Sequence, residues 1–483
     1  MRLTLVHPCI GRHAGDTRYI RSWQMEPLAP AVLAGLTPKD IDVCFYDDRL
    51  ERIPYDEPTD LVALSVETYT ATRCYQIATE YRRRGVPVVM GGFHATLCPD
   101  EVARYADALV IGEAESVWHE LLDDFRHGEL KAVYRSGSRP SLGATTYNRA
   151  IFRGKRYVPV TLVEAGRGCH WRCEFCAVQA YFSSTQTRRP IDRILADIAD
   201  ARTRRNFFFF VDDNITSNMD EAKDFFRALI PLGIRWVSQA SINAAHDEEF
   251  LDLIARSGCQ GLLVGFESLN ERTLRKMRKG FNTMQGGYEV ALANLNRYNI
   301  RLYATFIFGY DDDTRETFDV ATEFAQRHRF YIAAFNHLTP FPGTPLYERM
   351  QKKGQLIYDA WWTDPRYRYN HIPFRPGRLS PQELQQLCIE ARAKFYSLPS
   401  IAQRFMSPVN RASGFMARNF PLINWMLRGE VRQRDELPLG DAGWQGTLLE
   451  ARPRVSVELP AVQGEALRSR PGERATAAVR HAV

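Results

Sequence analysis

The sequence predicts an α/β chain in three parts: an N-terminal doubly wound (Rossmann-like) parallel sheet, a partial (β/α)6 TIM-type barrel, and a helical C-terminal region. Three observations predict it. Short apolar runs alternate with helical patterns twice, once before about residue 130 and again from about residue 157. Three cysteines fall within eight residues just after the first strand of the second alternation. From about residue 375 the strand pattern stops and helical periodicity replaces it. A chain of 483 residues is also too long for one ordinary core and divides into domains.

The elements follow in order. A strand opens the chain (RLTLVHP), then come a helix near 28–36 and strands at 43–46 and 61–67. A helical pattern ending in the basic run at 82–84 leads to strands at 86–92 and 108–113. Such alternation indicates a parallel sheet covered on both faces. Ligands of such sheets bind beyond the carboxyl ends of the strands. Those ends carry His7-Pro8, then Glu67-Thr68-Tyr69-Thr70, Gly91-Gly92-Phe93-His94 and Gly112-Glu113. This domain is expected over residues 1–135, with a Gly/Ser/Pro-containing connector at 136–156.

Strands of the second alternation are expected at 160–165, 207–212, 236–242, 261–266, 302–308 and 332–338, with helices such as 190–202 and 248–257 between them. Six units fall short of the eight that close a barrel, and chemistry belongs at their C-terminal ends. The barrel is expected over 157–350 and a helical domain over 351–437, where Ser380 with Glu383 three residues on reads as a capping box. Residues 438–483, rich in Pro, Gly, Arg and Ala, are expected to form a disordered tail.

Composition narrows the function. Hydrophobic residues at 45% and charged residues at 25% are ordinary for a globular protein. A net charge of +6 is small for this length and argues against nucleic acid as a partner. There is no run of about 20 apolar residues to span a bilayer. The N-terminus lacks the pattern of a secretory signal, so the expected location is cytoplasmic. Six of the nine cysteines are scattered singly; Cys169, Cys173 and Cys176 form a tight odd trio, which points to a metal rather than to disulfides. The spacing C-x3-C-x2-C suits three irons of a [4Fe–4S] cube whose fourth iron lacks a protein ligand. The alternative, a zinc site, would need a fourth ligand; His170 lies within the motif, but the spacing is not a usual zinc pattern.

The motif, with Phe175 before its last cysteine and its place after the first strand of a six-unit barrel, resembles the radical S-adenosylmethionine superfamily. The resemblance implies that the open iron chelates S-adenosylmethionine and that an electron from the cluster releases a 5′-deoxyadenosyl radical. It assigns Asp212, Asp213 and Asn214 to the motif that holds the methionine amino group. Gln239 and Ser241 would meet the ribose or carboxylate, while Gly265, Glu267 and Phe308 would flank the adenosine. Taken alone, Asp212–Asn214 would equally suit a helix N-cap and Glu267 an ion-paired barrel residue.

The N-terminal part resembles the cobalamin-binding domain found ahead of the barrel in one large subgroup. The matching residues are Gly91-Gly92-Phe93-His94-Ala95-Thr96, Pro99-Asp100-Glu101 and Gly112-Glu113-Ala114-Glu115. On this resemblance Glu67, Thr68, Gly91, Gly92, His94, Thr96, Gly112 and Glu113 would line the cobalamin. No Asp-x-His-x-x-Gly occurs, so no histidine is indicated to ligate cobalt from below. The alternative is a flavodoxin-like domain with a structural role only.

Cobalamin and the radical together imply C-methylation of an unactivated carbon in a biosynthetic pathway. The subgroup also contains cyclising, rearranging and hydroxylating enzymes, so radical cyclisation is the alternative outcome. An iron–sulfur redox sensor or electron carrier would ordinarily ligate all four irons. A small-molecule substrate is expected, lipid-like or tetrapyrrole-like, with a low-potential flavodoxin or ferredoxin as reductant. Tyr303, Phe335 and His337 are expected to line the substrate pocket. The segment 401–428 mixes large apolar residues with arginines. That pattern marks either a helix packed on its own protein, the commoner case, or a surface in peripheral association with a membrane.

Overall fold

The computed structural model describes residues 1–16, 24–202, 206–432 and 435–450. Its first sheet holds six parallel strands: β1 (Arg2–His7), β2 (Asp42–Asp47), β3 (Leu61–Ser65), β4 (Val88–Gly91), β5 (Ala108–Ile111) and β6 (Val133–Arg135). They lie in the order β2-β1-β3-β4-β5-β6, so the winding reverses between β1 and β3. Sequence reading did not foresee β6, a strand of only three residues. The second sheet runs in chain order: β7 (Thr161–Val163), β8 (Phe207–Phe210), β9 (Arg235–Ala240), β10 (Cys259–Glu267), β11 (Arg301–Phe308) and β12 (Ile332–His337). All its pairs are parallel and its two edge strands do not meet, which is a partial barrel.

Strand alternation decides what faces the barrel lumen. Along β11, Ala304, Phe306 and Phe308 are buried against the outer helices, while Tyr303, Thr305 and Ile307 between them are only half-buried and face inward. Phe308 stacks on Phe318 of an outer helix at 4.0 Å. Its expected place beside an adenosine is therefore corrected: period-2 alternation sends it outward. Phe335 and His337 on β12 point outward by the same rule, and Asn336 between them is the exposed residue.

The C-terminal helices do not form a core of their own. Phe395 of the helix Pro381–Phe395 and Phe420 of the helix Gly414–Gly429 belong to the barrel's apolar core. Tyr396 explains the attachment. Its hydroxyl donates to the Ala333 carbonyl (2.9 Å) and accepts from the Ala333 N–H (3.3 Å), satisfying edge strand β12. The capping box of Ser380 and Glu383 is present. The segment bearing Trp361, Trp362 and Tyr367 packs instead on the first sheet, with Trp361 fully buried.

Residues 438–450 correct the expectation of a disordered tail that begins at 438. Gly440–Asp441 pairs in parallel with Gly11–Arg12. Asp441 meets Arg12 (3.4 Å), Trp444 Nε1 donates to Glu80 (2.9 Å), and Leu439 and Leu448 pack on the first sheet. A few anchors outweigh the Pro/Gly-rich composition. Residues 451–483 of that expected tail lie outside the described residues.

Burial of His337 gives a prediction for acid stability. Its Nδ1 donates to the Leu338 carbonyl (3.0 Å), and burial depresses its pKa to about 4. The unfolded chain takes up a proton below about pH 6.5, whereas the folded chain refuses it until about pH 4. Stability therefore falls as pH drops through that window, by up to about 3 kcal/mol from this residue. Urea midpoints measured across the window should fall less steeply in His337→Asn than in the parent; equal slopes would remove His337 as the cause.

Candidate functional site

The cysteine loop leaves the barrel at the end of β7. A two-stranded antiparallel hairpin, Gly166–Gly168 with Gln186–Arg188, brackets the loop and its short helix Ala177–Phe182. Gly168 sits at φ +88°, and a Cβ there would overlap the Thr185 carbonyl oxygen. Glycine is required on both counts. Its N–H donates to Asp213 Oδ2 (2.7 Å), so the end of β8 fixes the loop that follows β7. Gly168→Ala should break this hairpin and cut the iron retained after anaerobic reconstitution to less than half, given about 1–3 kcal/mol of strain. Iron per chain at the parental level would refute this account of the loop.

All three cysteines are free thiols. Burial pushes Cys173 up to about 12, with Lys279 opposing, and burial also raises Cys176. Thiolates in such surroundings need cationic charge beside them, which iron supplies. Among the described residues no three His, Cys, Asp or Glu side chains converge as the ligands of one ion do. A [4Fe–4S] cube would take each thiolate on a different iron, and the C-x3-C-x2-C loop offers three thiolates at one strand end. Phe175 is half-buried against the barrel core.

The ends of β8 and β9 form one hydrogen-bonded array beside the loop. Asn214 Nδ2 donates to Ser241 Oγ (2.9 Å) and lies 3.6 Å from Cys169 Sγ. Gln239 Nε2 donates to the Asp212 carbonyl (2.6 Å). The Asp212 carboxylate accepts from the Ala165 N–H (3.0 Å) and from Arg188 (3.3 Å). Burial holds Asp212 up at about 7 and Asp213 at about 6. Asp212 thus positions the hairpin, while Asp213 and Asn214 are the members nearest the loop.

Across the lumen, Glu267 ends β10 at a bulge, with φ +62°. Its Oε1 accepts from Lys279 Nζ (2.6 Å), while Oε2 is buried without a protein partner. A Cβ on Gly265 would come within 2.5 Å of Lys279 Nζ. What approaches that glycine is this chain's own ion pair. Lys279 was not singled out in the sequence, since nothing local sets it apart within RKMRKG. It is the cation that opposes the raised pKa of Cys173.

On the first domain, a cleft opens beyond the carboxyl ends of β3, β4 and β5. Glu67, Gly91, Gly92, Gly112 and Glu113 line it, above a floor of Val32, Ala63, Val89, Val110 and Trp118. The opposite wall comes from the barrel: Gly166, Arg167, Tyr181, Phe182 and Asp213. Phe93 stacks on Tyr181 at 4.2 Å, joining the glycine turn to the cysteine-loop helix. The Glu67 carboxyl projects into the cleft and is exposed to it. Glycines 91, 92 and 112 keep side chains out of the space above that apolar floor, which fits a flat, bulky ring such as a corrin. Among the described residues no histidine lines the cleft.

His94 is a correction, because it does not reach the cleft. It is fully buried, with Nδ1 3.3 Å from Thr68 Oγ1 and Nε2 3.3 Å from Glu101. Glu101 also accepts from Tyr75 (2.6 Å) and Trp362 (2.9 Å). His94 and Thr68 thus hold the glycine turn from behind, as Thr96 does by accepting the Gly112 N–H (2.9 Å). The rim was missed in the sequence. Arg167 contacts Glu113 (3.2 Å), Glu115 (2.5 Å) and Glu164 (2.6 Å), and Arg139 from the connector pairs with Glu113 (2.8 Å). These charges come from separate loops, and no local pattern announces them.

Comparison with known proteins agrees with this geometry. The profile of the radical SAM superfamily matches residues 163–325, and that of the B12 binding domain matches residues 28–122. Bacteriochlorophyllide d C-12(1)-methyltransferase of Chlorobaculum tepidum is 32% identical over 80% of this chain and 86% of its own length. Bacteriochlorophyllide d C-8(2)-methyltransferase of the same organism is 27% identical over 78% of this chain and 87% of its own. The radical S-adenosylmethionine methyltransferase TsrM of Kitasatospora setae, solved with cobalamin and a [4Fe–4S] cluster, shares the fold. Its TM-score is 0.59 at 16% identity, covering 89% of this chain and 98% of that one. A cysteine loop suited to a [4Fe–4S] cluster and S-adenosylmethionine faces a cleft suited to cobalamin, and relatives match along most of the chain: it belongs to the radical S-adenosylmethionine enzymes that carry a B12-binding domain.

Proposed function

We propose that this protein transfers a methyl group to an unactivated carbon on a side chain of a chlorophyll-type tetrapyrrole. The observation that carries the reading is the shared wall between the two cofactor sites. Asp213, Arg167, Tyr181 and Phe182 belong to the cysteine-loop side, and they line the same cleft as Glu67, Gly92 and Glu113. Bound there, the cluster supplies the electron that cleaves S-adenosylmethionine, and cobalamin carries the methyl group. The chain's own work is placement. Gly168, Asp213 and Asn214 fix the cysteine loop, while the ion cluster around Arg167 and the Phe93–Tyr181 stack hold the two domains face to face. The lumen row of Thr305 and Ala334, with Ile307 and Asn336 beside them, offers the wall for the substrate carbon.

Methylation is preferred to cyclisation because the relatives at 32% and 27% identity are named for methyl transfer. Those names also motivate the substrate class. A low-potential flavodoxin or ferredoxin serves as reductant. Anaerobic turnover of bacteriochlorophyllide d by the reconstituted protein should yield a product heavier by one CH2, together with S-adenosylhomocysteine and 5′-deoxyadenosine. Formation of 5′-deoxyadenosine with an unmethylated, ring-closed product would favour cyclisation. No substrate-dependent product would overturn the tetrapyrrole reading.

A further inference from the structure

The two helices Leu398–Phe405 and Gly414–Gly429 carry more apolar residues than their packing uses. Phe405, Phe415, Phe420, Ile423 and Leu427 face the barrel core. That inner face rests on the start of the strands: Phe415 lies against Phe207 (5.1 Å), Ser413 donates to Gln260 (2.7 Å), and Tyr331 donates to the Met416 carbonyl (2.7 Å). The helices therefore cover the base of the barrel, at the end opposite the cysteine loop.

The outer face is also apolar. Leu398, Met406, Leu422, Trp425 and Met426 are 40–64% exposed, and they make up five of the nine exposed large hydrophobic residues among those described. Leu422, Trp425 and Met426 have i, i+3, i+4 spacing on one side of one helix. Charge along the two helices has a single sign up to Glu430, which caps the end of the second. Residues 391–429 contain no aspartate or glutamate. Among the described residues the exposed Arg411, Arg418 and Arg428 bond only to backbone carbonyls, those of Met406, Gly414 and Tyr396.

We propose that this basal face docks the protein on the surface of an anionic lipid bilayer. An amphipathic helix lying in the plane of a membrane presents this combination: large apolar residues and an indole at the boundary, with arginines reaching for lipid phosphates. A second copy of the chain is a poor occupant, because a two-fold contact would set these arginines against each other with no carboxylate between them. Docked this way, the barrel base lies on the lipid and the cysteine loop faces away. The contact then fixes where the enzyme works rather than drawing substrate through the bilayer. This surface stands independently of the substrate reading, since reductive cleavage of S-adenosylmethionine can proceed whether or not the face binds lipid.

Co-sedimentation of the full chain with vesicles tests it. The parent should pellet with vesicles of phosphatidylcholine and phosphatidylglycerol and remain in solution with phosphatidylcholine alone. Partitioning should fall at least about tenfold in Leu422→Ser/Trp425→Ser/Met426→Ser, and again in Arg411→Glu/Arg418→Glu. Both variants should keep parental cleavage of S-adenosylmethionine, which shows that they fold. A parent that ignores both vesicles, or a triple variant that binds as well as the parent, overturns the proposal. So does concentration-dependent self-association of the parent that the triple variant loses, which would make the face a subunit interface.

Discussion

Replacing Cys169, Cys173 or Cys176 by alanine lowers formation of 5′-deoxyadenosine by more than about 10³-fold, the scale expected when a group the reaction cannot do without is removed. Each thiolate would hold a different iron of the cube, so the remaining two could not compensate. The array at the strand ends makes Cys169 the sharpest case: Asn214 Nδ2 lies 3.6 Å from its sulfur and is tied to Ser241, so the loop is held for a thiolate at that point. Buried thiols elsewhere provide the control. Cys259 and Cys388 sit in the barrel core, and alanine there should lower stability while iron and cleavage activity remain. Iron per chain and 5′-deoxyadenosine yield are measured together after anaerobic reconstitution. Parental yield in any of the three loop variants would remove the cluster assignment.

The same contrast explains how much of the molecule could be read from its sequence. The cysteine trio is local: three residues within one loop announce their chemistry by spacing alone. Both sheets were legible for a related reason, since apolar runs alternating with helical patterns leave few arrangements. What failed was direction within an element. Phe308 looked like a residue at the strand end facing the ligand, yet its neighbours Ala304 and Phe306 already show which parity of β11 is buried. Reading that alternation would have selected Thr305 and Asn336 for the lumen instead.

His94 failed differently. A histidine in a glycine turn attracts a cofactor role, but its ring is taken by Glu101, 7 residues on, and by Trp362, which packs edge-on against it and bonds Glu101 from the far part of the chain. The Arg167 cluster is equally non-local: its charges sit on separate loops and acquire meaning only once the two domains meet. Lys279 lies only 12 residues from Glu267, but the bulge that turns Glu267 toward it has no signature in the sequence. The segment at 438–450 shows the limit of composition: Asp441, Trp444 and Leu448 anchor a stretch whose average residue suggests disorder.

Lys279→Met is expected to cost about 3–5 kcal/mol, the effect of leaving one member of a buried ion pair without the other. Glu267 is 5% exposed and held at φ +62°, so it cannot swing to water without rebuilding the bulge that ends β10. Burial opposes the charge on Lys279, yet Glu267 at 2.6 Å outweighs it and raises the lysine pKa. The Lys279 ammonium and the Glu267 carboxylate meet where a Cβ on Gly265 would sit, so the missing side chain makes room for the pair. Glu267→Gln/Lys279→Met should recover most of the loss, because it removes both charges from the same space. Denaturant unfolding of the iron-free chain separates this effect from cluster binding. If the single and double variants unfold at the same midpoint, the pair does not hold β10 to the segment after it. The carboxylate would then be free to turn its unpartnered Oε2 toward a ligand donor in the lumen.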